Sequence, residues 1–405
     1  MKSCLTSKSV FTGFVIMTVP FMMCGNMVVS SVGGLHLYLS LLVNCVFFFF
    51  YFFLFLSKNR HLNLWLHKSS LYLLLLLVYF ISLNVLHGNI TSFSYVVIYS
   101  FFILLTILFF YTISSYDVVF LSIVIGTILT IIRVVYEVGA DLFNISVSTR
   151  YDLDFIGGIN NFAYIVTLSV IISYYKISHN VVKALVLSFL VLFNLLTLSR
   201  GANLILFLFF FTLLLKKENV KYLVRFGWLF IMLVIYLVYD FFSENDIDFD
   251  FLLRYDIFSD MEGSSSNRTI VWSYALSKIN TMQGLLWGFG SATYNQVVGN
   301  HVLTSLHNQY LDFLYSFGCV LSLPFFYTFI KYYLRCVKLF YTNPFVFWIN
   351  TVYVISFCFD TRIWVIQTVW IYPLVISFSL RNLINWDLHK VNVRIKREHC
   401  VSVEK

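Results

Sequence analysis

Two arginines and a histidine lie beside long apolar segments of the chain, where charged side chains are costly. Arg200 follows Thr-Leu-Ser and precedes Gly-Ala, Arg268 lies in Asn-Arg-Thr, and His307 begins His-Asn-Gln-Tyr. A guanidinium is always charged and binds phosphate oxygens through two parallel N–H donors. A histidine has an ordinary pKa of about 6.5 and accepts a proton near neutral pH. The three residues are therefore candidates for binding an anion and for accepting a proton.

The surroundings of each arginine allow two interpretations. Arg200 lies between two apolar segments with almost no loop, and Gly201 would let a ligand head group approach. Such an arginine either binds an anion, or it extends to the membrane interface or pairs with a carboxylate on the outer side. Arg268 begins a segment with helical apolar spacing over 270–279. A helix amino terminus favours anions, and an exposed loop arginine is the alternative.

His307, Leu311, Leu314 and Gly318 have the spacing of one helical face, and Gly318 would let a neighbouring helix pack closely. A capping or interface histidine is the alternative to a proton acceptor. His301 is six positions away, which is not a metal-site spacing, and the seven cysteines are scattered. We therefore predict no metal and no other cofactor.

Two further short segments add weaker candidates. Gly288 and Gly290 allow a tight turn that could approach a ligand, although no strand precedes them as in a dinucleotide-binding motif. Asp360 and Arg362 join the last two apolar segments. Arg362 either provides a third contact to an anion or pairs with Asp360.

The composition indicates a polytopic membrane protein. Of 405 residues, 60% are hydrophobic and only 11% are charged, compared with about 25% charged in soluble domains. This excludes an ordinary soluble enzyme, a disordered chain and a collagen-like fibre. Apolar runs such as 46–56 do not alternate with polar residues as barrel strands do. We predict an all-α fold in which residues 1–405 form a single integral membrane domain.

Hydropathy predicts about twelve transmembrane helices, because one span needs roughly 20 apolar residues. The first follows Lys2 and Lys8 but lacks a clear small-residue cleavage site, so we interpret it as a retained span. The predicted spans are 9–31, 34–56, 69–86, 94–113, 118–136, 160–178, 182–198, 201–215, 222–241, 308–334, 344–359 and 363–380.

The distribution of charge predicts the orientation. With both termini in the cytoplasm, the inner side holds 20 of the 27 lysines and arginines and only 5 of the 19 acidic residues. The net charge of +8 is thus a topology signal and does not indicate nucleic acid. This predicted topology has a periplasmic loop at 137–159 and a large periplasmic loop at 242–307, between spans 9 and 10. It also has a basic cytoplasmic tail at 381–405. Long loops are uncommon unless they are functional.

Three segments in their order along the chain resemble the O-antigen polymerase and O-antigen ligase superfamily of bacterial inner membranes. They are Leu-Ser-Arg-Gly-Ala at 198–202, the stretch 268–290, and His307-Asn308 with Gly318. Together they cover roughly a tenth of the chain. The rest is similar in topology, with about twelve spans and a large outer loop in the second half.

The resemblance implies a membrane glycosyltransferase of the GT-C type that acts at the periplasmic face. Its donor and acceptor would be undecaprenyl-diphosphate-linked glycans, with no metal, nucleotide sugar or nucleic acid, and a chain-length regulator in the same membrane is an implied partner. Arg200 and Arg268 would bind the diphosphate, and His307 would act as the base or position the acceptor. The remaining substrate-binding candidates are Gly201, Gly290, Asn308 and Arg362.

The acceptor distinguishes a polymerase, which adds the chain to another lipid-linked repeat unit, from a ligase, which transfers it to lipid A-core. The short loop of about 65 residues and the high Phe, Leu, Ile and Tyr content favour the polymerase. A lipid-linked oligosaccharide flippase or other transporter is the alternative from another class. Transporters place ionisable residues near the membrane midplane, and the centres of these spans are apolar.

Overall fold

Most of the described part of the protein is helical. The computed structural model describes residues 28–32, 35–38, 78–79, 81–82, 85, 105–106, 109–110, 113, 115–138, 158–197, 199–214, 266–290, 296–298, 301–303, 306, 308–359 and 370–403. The helices are α1 (Tyr116–Val138), α2 (Ile159–Lys176), α3 (Asn180–Leu196), α4 (Arg200–Leu214), α5 (Ser266–Ile279), α6 (Met282–Leu286), α7 (Gln309–Lys338), α8 (Pro344–Phe359) and α9 (Ile371–Val403). The strands are β1 (Val28–Val32), β2 (Leu35–Tyr38), β3 (Gln296–Val298) and β4 (His301–Leu303).

The helical prediction is confirmed for five spans. Those predicted at 118–136, 160–178, 182–198, 201–215 and 344–359 coincide, to within a few residues, with α1, α2, α3, α4 and α8. Helical residues also occur within the spans predicted at 69–86 and 94–113, and α9 overlaps the last one. The span at 222–241 lies outside the described residues, and the count of twelve therefore stays a prediction.

The β1–β2 hairpin corrects the adjoining ends of the first two predicted spans, 9–31 and 34–56, whose remaining residues lie outside the described part of the chain. Val28 pairs with Tyr38 and Val32 with Leu35 in an antiparallel register. Valine favours strands, and the two residues between the strands are glycines, which tight hairpin turns prefer. Hydropathy alone does not predict this hairpin, because a window of about 20 residues averages over both short strands.

The antiparallel helices α1 and α2 define one end of the bundle. Lys176 Nζ lies 2.6 Å from Asp117 Oδ1, which joins the end of α2 to the start of α1. The same ammonium lies over the ring of Phe345 near the start of α8, 4.8 Å from its centroid. We call this end the Lys176 end. The connection between α3 and α4, at 197–199, lies at the opposite end.

The two ends differ in charge. The Lys176 end carries basic residues that the charge distribution assigns to the cytoplasm, namely Lys176, Lys183, Arg335, Lys338 and Arg381. The charge distribution assigns Arg133 and Arg200 to the other side of the membrane, and both residues lie at the opposite end of the bundle. The helix α9 runs from the bundle past the Lys176 end and includes most of the predicted basic tail, 381–405.

The helix α7 is sharply reversed in its middle. Gly318 has φ 62° and ψ −177°, which is not a helical conformation. The rings of Tyr310 and Phe329 lie 6.3 Å apart, and those of Phe313 and Phe325 lie 4.4 Å apart. Nineteen residues of straight helix would separate Tyr310 from Phe329 by about 28 Å. Residues 309–317 therefore run back along residues 319–338 as a helical hairpin.

This reversal corrects the span predicted at 308–334. By length and composition, Tyr116–Glu137 and Gln309–Lys338 are the two described helices that could cross a membrane. The second contains the break at Gly318, so the continuous helix after the break is its part at 319–338, about 30 Å long. The prediction failed because a single glycine in an apolar run does not change its hydropathy.

Arg381 joins α9 to residues 105–113, which contain the end of the fourth predicted span. Its Nε donates to the carbonyl of Phe110 at 2.7 Å, and Nη1 donates to that of Ile113 at 2.6 Å. Its guanidinium also lies over the ring of Tyr116, 5.2 Å from the centroid. The last carbonyls of a helix lack partners within the helix, and Arg381 satisfies two of them.

We expect Arg381→Gln to lower the free energy of unfolding by about 1.5–3 kcal/mol, the range for hydrogen bonds from a charged group. Thermal unfolding of the purified protein in detergent measures the change. Arg335→Gln is the matched control, because Arg335 pairs with Asp387 where both side chains are more than 40% exposed. Such a pair contributes about 1 kcal/mol or less. Equal losses in the two variants would contradict the role of Arg381.

Candidate functional site

Asn308 fixes the start of α7 to the end of α8. Its Oδ1 accepts a hydrogen bond from the backbone N–H of Leu311 at 3.0 Å, which caps the helix. Its Nδ2 donates to the carbonyl of Cys358 at 3.3 Å, and the hydroxyl of Tyr310 donates to that of Val354 at 3.0 Å. This part of the structure, where α8 ends, is called the Asn308 end below. His307 precedes Asn308 and lies outside the described residues.

A buried acid follows within the first turn of α7. Asp312 and Gln309 are both almost fully buried, and Gln309 Nε2 donates to Asp312 Oδ2 at 3.2 Å. A buried carboxylate is costly unless it is paired and hydrogen-bonded. The sequence contains the signal, a single acidic residue in an apolar helix, but it does not reveal the burial. We did not predict Asp312 as a site residue.

The helix α5 packs along the first half of α7. The indole N–H of Trp272 donates to the carbonyl of Leu306 at 2.7 Å, immediately before His307. Ala275 and Ile279, on the same face as Trp272, form one buried apolar cluster with Leu306, Leu311, Leu314 and Tyr315. Position 268 precedes Trp272 by one helical turn and lies on that face. The backbone of Arg268 is therefore close to the segment that contains His307.

The start of α4 lies at the same level along the helix axes as the end of α8. The rings of Phe209 and Trp348 pack edge to face between the two antiparallel helices, with centroids 5.3 Å apart. Arg200 is nine residues before Phe209, and Phe357 is nine residues after Trp348, each about 14 Å along its helix. Arg200 therefore begins α4 at the height of Phe357, one residue before Cys358.

The backbone segments next to the four predicted basic site residues thus lie together at the Asn308 end. Arg200 and Arg268 begin helices there, His307 adjoins Asn308, and Arg362 follows Cys358 by four positions. His307, Arg362 and the side chains of the other two lie outside the described residues, so their roles stay predictions. Within the described part of the chain, no three His, Cys, Asp or Glu residues form a group that could hold a metal ion.

The predicted glycines make contacts within the protein. Gly288 and Gly290 both have φ 76°, a conformation that favours glycine. The N–H of Phe289 donates to the carbonyl of Tyr315 at 2.9 Å, and that of Gly290 donates to Ser316 at 3.0 Å. The reversal of α7 removes the helical partners of these two carbonyls. The segment after α6 therefore provides hydrogen-bond donors for the carbonyls at the break in α7. Substrate binding by Gly290 stays a prediction.

Gly318 and Gly288 meet backbone to backbone. A Cβ atom added to Gly288 would lie 2.5 Å from the N of Gly318, and one added to Gly318 would lie 2.6 Å from the N of Gly288. Ser322 completes the reversal, because its hydroxyl donates to the carbonyl of Phe313 at 2.9 Å. The close packing predicted for Gly318 is present, but its partner is the segment after α6 and not a long helix.

We expect Gly318→Ala to destabilise the protein through both backbone strain and overlap with the backbone of Leu286 and Gly288. Strain of this kind costs about 1–3 kcal/mol, and overpacking adds about 1–3 kcal/mol. Gly158→Ala is the matched control, since Gly158 also has a positive φ, 86°, but nothing within 4 Å of an added Cβ. Thermal unfolding should show a distinctly larger loss for Gly318→Ala. Equal losses would mean that contact with Gly288 contributes nothing.

The comparisons with known proteins concern the part of the chain described above. Residues 184–326 match the family model described as O-antigen ligase. This match covers about a third of the chain and contains most of α3, all of α4 to α6, the β3–β4 hairpin and most of α7. No curated protein sequence matches the chain. The match includes the positions of Arg200, Arg268 and His307, and it supports the resemblance to the superfamily of O-antigen polymerases and ligases.

Proposed function

We propose that the chain is an O-antigen polymerase, which joins undecaprenyl-diphosphate-linked repeat units at the periplasmic face of the bacterial inner membrane. The main support is the meeting at the Asn308 end of the segments that adjoin Arg200, Arg268 and His307. The hydrogen bond from Trp272 to Leu306 joins the segments of Arg268 and His307, and the hydrogen bond from Asn308 to Cys358 fixes the His307 segment to the end of α8. Residues that are distant in sequence thus have neighbours that are close in space.

The proposed reaction is an inverting glycosyl transfer that needs no metal. The two arginines neutralise the diphosphate as the bond between the anomeric carbon and the phosphate oxygen breaks and its electron pair moves to the leaving group. An acceptor hydroxyl attacks from the opposite side, and His307 takes its proton as a general base. Diphosphate leaves as a stable anion, so that no carboxylate pair of the kind found in glycosidases is required.

The separation of charge between the two ends supports a periplasmic site. Basic residues concentrate near the Lys176 end, and cytoplasmic loops are rich in lysine and arginine. The proposed site lies at the opposite end, at the height of Cys358. Glycan transfer between lipid-linked donors by the purified protein alone would support an enzyme, and its absence together with flipping activity would favour the transporter.

A ligase is the second candidate, because the matching family model carries that description. Lipopolysaccharide banding in a deletion strain separates the two functions. A lost polymerase is expected to leave lipid A-core with a single repeat unit. Core alone, with polymer accumulating on undecaprenyl diphosphate, would instead establish the ligase and refute the polymerase.

We expect Arg200→Ala and Arg268→Ala each to reduce transfer at least about a hundredfold, because each removes a charged contact to the leaving group. His307→Ala should lose about 10²–10⁴-fold, the contribution of a general base. Arg133→Ala is the matched control, since Arg133 forms an ion pair with Glu137 (2.7 Å) near the carboxyl end of α1, away from the Lys176 end. Transfer by purified variants with equal membrane expression is the measurement. Full activity of Arg200→Ala would remove that residue from the site.

A further inference from the structure

A buried polar network joins three helices beside the turn that precedes Arg200. Asn194, on α3, is fully buried. Its Nδ2 donates to Asn203 Oδ1 on α4 at 2.8 Å, and its Oδ1 accepts from the hydroxyl of Thr167 on α2 at 3.3 Å. One side chain therefore connects α2, α3 and α4 through hydrogen bonds.

The same residue supports the turn itself. The backbone carbonyl of Asn194 accepts from the hydroxyl of Thr197 at 2.6 Å and from its N–H at 3.2 Å. The N–H of Ser199 donates to the Thr197 hydroxyl at 3.4 Å, and the carbonyl of Ser199 accepts from the N–H of Asn203 at 2.9 Å. Arg200 lies between Ser199 and Asn203, so both residues that flank its helical turn belong to the network.

The physical reason for such a network is the apolar character of the surrounding helices. Leu, Ile and Phe side chains fill space, but the hydrophobic effect that buries them is non-directional and does not specify individual partners. A buried amide must keep its partners, because an unpaired polar group in this environment costs about 1–3 kcal/mol. The bonds of Asn194 therefore restrict α3 and α4 to one relative position.

We propose that Asn194 is a positioning residue for Arg200, which holds the start of α4 where the arginine binds the leaving diphosphate. This proposal rests on the proposed function of Arg200. Transition-state stabilisation needs preorganised groups, and a displacement of about 1 Å can cost as much as a hundredfold in rate. Asn194 acts through the backbone of α4 and does not touch the substrate.

The chain offers a matched control in Asn350, another buried asparagine in a helix. Asn350 Nδ2 donates to the carbonyl of Val346 and to Ser379 Oγ, both at 2.8 Å, and its Oδ1 accepts from the hydroxyl of Tyr332 at 2.7 Å. It lies on α8, eight residues before Cys358 and hence about 12 Å from the Asn308 end. Its removal should cost similar stability without moving Arg200.

The test is a double-mutant cycle on the purified full-length protein, with lipid-linked repeat units as donor and acceptor. Asn194→Ala should lower kcat/KM about ten- to a hundredfold, whereas Asn350→Ala should leave it within about threefold at a similar loss of melting temperature. Arg200→Lys keeps the charge but not the geometry of two parallel N–H donors. This variant should retain measurable activity, and it is the second background of the cycle. In that background the effect of Asn194→Ala should become much smaller.

Two results would overturn the positioning role. One is equal loss of activity in Asn194→Ala and Asn350→Ala, and the other is a full, multiplicative effect of Asn194→Ala in the Arg200→Lys background. If Asn194→Ala does not fold, Asn203→Ala removes the same hydrogen bond at a half-buried position and replaces it in the cycle. An active Arg200→Ala would refute the role of Arg200 and this proposal together. An inactive Arg200→Ala with either overturning result would refute the positioning role alone.

Discussion

The backbone contact between Gly318 and Gly288 determines where the first half of α7 lies. Without the reversal at Gly318, residues 309–317 would extend α7 by about 14 Å along its axis. With it, Asn308 reaches the end of α8 and α5 packs beside it. The break leaves the carbonyls of Tyr315 and Ser316 without helical partners, and N–H groups from the α6 segment supply them. The large loop and the re-entering helix are thus one structural unit, and the rest of the Asn308 end depends on it.

Polar side chains inside the bundle need hydrogen-bond partners within the protein, as the carbonyls at the break in α7 do. An apolar environment offers no water, so each buried polar group needs a partner within the protein. Arg381 finds carbonyls at the Lys176 end, the Thr127 and Ser169 hydroxyls meet at 2.7 Å between α1 and α2, and Asn194 links three helices. Van der Waals packing of aromatic rings fills the space between these points.

Much of the helical part of the fold could be predicted because hydropathy over a window of about 20 residues reports local composition directly. It failed at the β1–β2 hairpin and at Gly318, because neither feature changes that average. The candidate site was predictable in its residue types, since Arg200, Arg268 and His307 are unusual in apolar surroundings. Asn194 was not predicted, because a single asparagine in a leucine-rich helix has no distinctive spacing and its function depends on its neighbours.

By itself, the sequence determined the apolar helices, the asymmetry of charge along the chain and the residues able to bind an anion or accept a proton. These properties are local or additive, so they can be read without knowing which segments touch. The tertiary structure alone decided the helical hairpin of α7, the docking of α5 on Leu306 and the height of Arg200 beside the end of α8. Each depends on contacts between segments tens to hundreds of residues apart. The Gly288 segment stabilises the positive-φ conformation of Gly318, because it packs against that glycine and satisfies the carbonyls that the break exposes.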